Sequence, residues 1–90
     1  MRYFIIDTNT VDLKAFQDDL EIILLEVDND GRVEKEIGLN TNQKIVHAFP
    51  SGKFKNGIYG IFDLNVFELM NQDDDIQGQQ FYSYWDKLST

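Results

Sequence analysis

The chain has 90 residues, no cysteine, and sixteen acidic against eight basic side chains, for a formal charge of −8. The missing thiols exclude disulfides and thiolate metal sites and point to the cytosol rather than to secretion. The acid excess argues against nucleic acid and anionic membranes as direct partners, because both are normally met by a basic footprint.

Seven Phe, four Tyr and one Trp supply core material that disordered acidic chains lack. A single folded domain spanning residues 1–90 is expected, with a modest core that removes roughly 60 to 65% of the unfolded surface from water. The opening Met-Arg-Tyr-Phe-Ile-Ile-Asp meets an acid too early for a secretory leader. No apolar run reaches the length of a bilayer span.

Arg2 to Ile6 is β-branched and aromatic and reads as a first strand. Asp7 to Thr10 then breaks it with side chains that bond their own backbone. Val11 to Asp19 reads as loop or a brief helix, with Val11, Ala15 and Phe16 on one side. Leu20 to Asp28 reads as the central strand. Ile23, Leu25 and Val27 alternate onto one face, and Ile22 and Leu24 onto the other, ahead of Glu26 and Asp28. Such a strand needs cover on both sides.

Asp28-Asn29-Asp30-Gly31 forms a turn, with Gly31 free to take positive φ. The return strand Arg32 to Leu39 is expected to put Val33, Lys35, Ile37 and Leu39 on one face. Arg32, Glu34 and Glu36 then form a charged outer face. Asn40 to Asn42 is a second turn, and Lys44 to Phe49 a further strand closed by Pro50.

Ser51 to Gly60 carries Gly52, Gly57, Gly60, Lys53 and Lys55. It reads as an irregular lead-in, or as a small hairpin of 53–55 against 58–61. Asp63 suits the N-cap of a short helix through Met70. After the polar break 71–75, Phe81, Tyr84, Trp85 and Leu88 follow the i, i+3, i+4, i+7 spacing of a one-sided helix. The fold class expected is α+β: a curved antiparallel sheet of about four strands, up to a half-barrel, packed by a C-terminal helix.

Residues with chemical potential are few. Glu26 to Ile37 has the outline of a calcium loop, but its twelfth position is Ile37 where a bidentate Glu is required. His47 is the single histidine, with no Cys or second His as metal-ligand company. Ser51, Ser83 and Ser89 stand in no nucleophile-elbow context, and no phosphate loop is present. A non-enzymatic protein without cofactor or metal is the expectation. Asp73, Asp74 and Asp75 precede the terminal helix, where negative charge favours the positive end of the helix dipole.

Several stretches together resemble a known class. They are the first strand, Glu21-Ile-Ile-Leu-Leu-Glu-Val-Asp, the return strand Arg32-Val-Glu-Lys-Glu-Ile, and Ile76 followed by Phe81 and Trp85. The pattern is similar to small bacterial proteins encoded beside polymorphic toxins and, more broadly, to the immunity proteins of contact-dependent growth inhibition systems. Ser51 to Gly60 departs from it.

The resemblance implies a cytoplasmic, antitoxin-like protein that binds the C-terminal domain of a cognate toxin, a basic RNase or DNase, and occludes its active or substrate-binding site. Asp28, Asp30, Glu34 and Glu36, with Asp73, Asp74 and Asp75, are the expected partner-binding residues. An acidic adaptor, or a nucleic-acid mimic regulating a cellular enzyme, is the competing expectation.

Overall fold

A computed structural model describes residues 1–8, 12–15, 17–51 and 76–89. Strand β1 is Arg2–Asp7, a 3-10 turn covers Leu13–Ala15, and β2 is Ile22–Val27. Strand β3 is Val33–Leu39, β4 is Ile45–Phe49, and helix α1 is Gly78–Trp85, continued by a 3-10 turn over Asp86–Ser89. The strands lie in the order β1-β2-β3-β4, every neighbouring pair antiparallel. The protein is thus an α+β fold, a four-stranded sheet packed by the C-terminal helix, as the alternation and the terminal stripe predict.

β2 is buried along almost its whole length, and each face has its own apolar cluster. One gathers Phe4, Ile6, Ile23, Leu25, Val27 and Val33 with Leu13 and Leu20 from the connection between β1 and β2. The other joins Leu24, Ile37 and Leu39 to Phe81 of α1, with Tyr3, Ile5, Ile22 and Trp85 packed around them. Phe81 is fully buried, its ring 5.5 Å from that of Tyr3 and stacked on Trp85 at 6.1 Å. Removing that one side chain from water contributes about 1.5–3 kcal/mol. A helix of eight residues is marginal alone, so tertiary burial holds it.

The two tight turns share one geometry. In the first, the Gly31 amide donates to the Asp28 carbonyl at 3.1 Å and the Asp28 amide to the Arg32 carbonyl at 2.9 Å. The Asp28 carboxylate meanwhile accepts from the amides of Asp30 and Arg32, both at 2.9 Å. In the second, Gln43 donates to the Asn40 carbonyl and Asn40 to the Lys44 carbonyl. The Asn40 side-chain oxygen accepts from the amides of Asn42 and Lys44. Asp28 and Asn40 therefore play the same part. The left-handed position falls to Gly31 at φ 80° in one turn and to Gln43 at φ 61° in the other, where a side chain is disfavoured.

Two expectations are corrected. The faces of β3 do not follow strict alternation, because the register shifts between Glu26 and Val27. Glu26 pairs with Lys35 but Val27 pairs with Val33, leaving Glu34 as an extra, bulged residue. Val33 consequently turns into the cluster of Phe4 and Val27 instead of joining Ile37 and Leu39. Glu36, expected on a charged outer face, lies opposite buried Leu25 and is completely buried. The connection before β2 is anchored by Leu13 and Leu20, while Ala15 is exposed. The expected hairpin at 53–61, the helix at 63–70 and the acids Asp73, Asp74 and Asp75 lie outside the described residues.

Candidate partner-binding surface

The carboxylates expected to meet a partner fall into different environments. Asp30 and Glu34 are exposed at the β2–β3 end of the sheet, one in the turn and one on the bulge. Asp28 is partly exposed, but one of its oxygens serves the turn. The Arg32 amide holds its carboxyl below the ordinary carboxylate value against the opposing effect of desolvation, with a smaller contribution from the Asp30 amide. Glu36 is not part of this surface. Its Oε2 stands 2.7 Å from Nε2 of His47, both side chains fully buried.

The Glu36 and His47 pair depends on close backbone packing. β3 and β4 pair Gly38 with His47, and a methyl group on Gly38 would sit 2.9 Å from the His47 Cβ and 2.5 Å from Leu20 Cδ2. Glycine is needed there for space. Among the described residues, Nδ1 of His47 meets no hydrogen-bond partner. Among the described residues no group of three or more His, Cys, Asp or Glu side chains could hold a metal ion.

A second buried carboxylate, Glu26, ties the helix to the sheet. Its Oε2 accepts from the hydroxyls of Tyr3 at 2.9 Å and Tyr82 at 2.5 Å, and its Oε1 lies 3.4 Å from Lys35 Nζ. Lys35 also donates to the Tyr82 hydroxyl at 2.9 Å and stands 5.5 Å from the Trp85 ring centroid. The Tyr82 bond first, and then the charge of Glu26, raise the Lys35 ammonium above its usual value, against the opposing cost of burial. Both carboxylate oxygens are thereby engaged, so Glu26 acts as a clamp between β1, β2, β3 and α1.

Tyr82 lies off the stripe of Phe81, Tyr84, Trp85 and Leu88, and apolar periodicity gives no reason to single it out. No local signal marks it either: a three-residue loop after Asp28 would by itself set Glu26 against Glu34, and only the bulge brings Lys35 opposite Glu26. Between α1 and the sheet, Ile5, Ile22, Leu24, Leu39, Ile76 and Tyr84 line an apolar cleft of about 180 Å³, rimmed by Gln43 and Gln80. Among the described residues Met1 is the sole exposed large hydrophobic side chain, and no helix is long and apolar enough to cross a membrane. No protein-family model matches the chain, and neither does a curated protein or a solved structure.

Proposed function

We propose that this protein works by binding a cationic protein, and specifically that it is an immunity protein neutralising a basic toxin domain in the cytoplasm by occluding its active or substrate-binding site. One observation carries the reading. Of the carboxylates nominated from the sequence, Asp30 and Glu34 stand exposed together at one end of the sheet, on a chain of charge −8. Glu36, by contrast, is consumed inside the fold.

Exposed carboxylates on a firm hairpin are suited to an electropositive surface shaped for phosphate. Complementary potentials of that kind steer association up to roughly 10⁸–10⁹ M⁻¹s⁻¹ at low salt. The bulge contributes by turning Glu34 out of the ladder while Asp28 stiffens the turn.

The test is a pull-down with the toxin domain encoded beside the gene, followed by assay of that toxin's nuclease activity. Co-purification with loss of activity supports the proposal. Failure to bind, or binding that leaves the nuclease fully active, refutes it.

A further inference from the structure

We draw no further inference here: the strongest candidate, the apolar cleft between α1 and the sheet lined by Ile22, Leu39, Ile76 and Tyr84, carries nothing because nothing in the structure shows what covers it.

Discussion

Replacing His47 with Leu takes away the group 2.7 Å from a fully buried carboxylate. Glu36 keeps its burial and loses this one of its contacts. Taking one partner from a buried hydrogen bond costs about 1–3 kcal/mol, whereas a domain of this length is stable by about 5–13 kcal/mol in total. The single variant is therefore expected to lose between about a tenth and about three fifths of its stability. In the double variant Glu36→Leu/His47→Leu both polar groups of the pair are gone, and apolar side chains extend the cluster of Leu25 and Leu20. Such replacements are often neutral or stabilising, so the double variant should lie within about 1 kcal/mol of the wild type. Urea denaturation followed by Trp85 fluorescence measures both, with the m-value checking that the unfolding transition is unchanged. The reasoning fails if His47→Leu costs under 1 kcal/mol, or if the double variant is as unstable as the sum of the two single ones.

Three further outcomes follow from local geometry. The folded-state pKa of Asp28 lies below its ordinary 3.8, so its contribution is present above that value and lost as pH falls through the lowered one. Asp28→Asn should keep the turn, as Asn40 does in the second hairpin, yet lose this part of the acid dependence in a stability-against-pH series; an unaltered series contradicts it. Lys35 is shifted upward from 10.5, so its contribution is complete below that value and disappears as pH rises through the raised one. Alkaline titration of Lys35→Met by near-ultraviolet circular dichroism should lack that component, and a curve matching the wild type would show that the Glu26 clamp does not rely on the ammonium. Gln43→Gly relieves a left-handed residue and should stabilise by about 0.5–1 kcal/mol, read as a higher thermal midpoint; a lower midpoint would mean that the Gln43 side chain contributes more than its backbone costs.

The sheet was legible because its signals are local. Alternation in β2, an Asp-rich turn ending in Gly31 and an Asn-rich turn at Asn40 fix three strands and their antiparallel order, and the spacing of Phe81 and Trp85 identifies the helix that covers them. A bulge leaves no such trace. One extra residue at Glu34 reverses the facing of Val33, so an alternation read forward from Arg32 loses its phase. Glu36 was misplaced outward because its partner His47 lies on the next strand, eleven residues away. Tyr82 escaped for a related reason, since its role is a hydroxyl bonded to a carboxylate 56 residues earlier. Polar pairs between distant segments depend on tertiary register, which composition and periodicity do not encode.

The surface carboxylates are where the functional account is most exposed to test. Asp30→Lys/Glu34→Lys removes the Glu34 side chain beside Asp28 but keeps the backbone bonds that Asp28 accepts and the buried pairs, so the fold should persist. Stopped-flow association of this variant with the proposed toxin partner, at low salt and again at 0.15 M, isolates the steering effect. The account predicts an association rate at least tenfold below wild type at low salt, with a flatter salt dependence and little change in dissociation. Equal rates for the two proteins at low salt would contradict it.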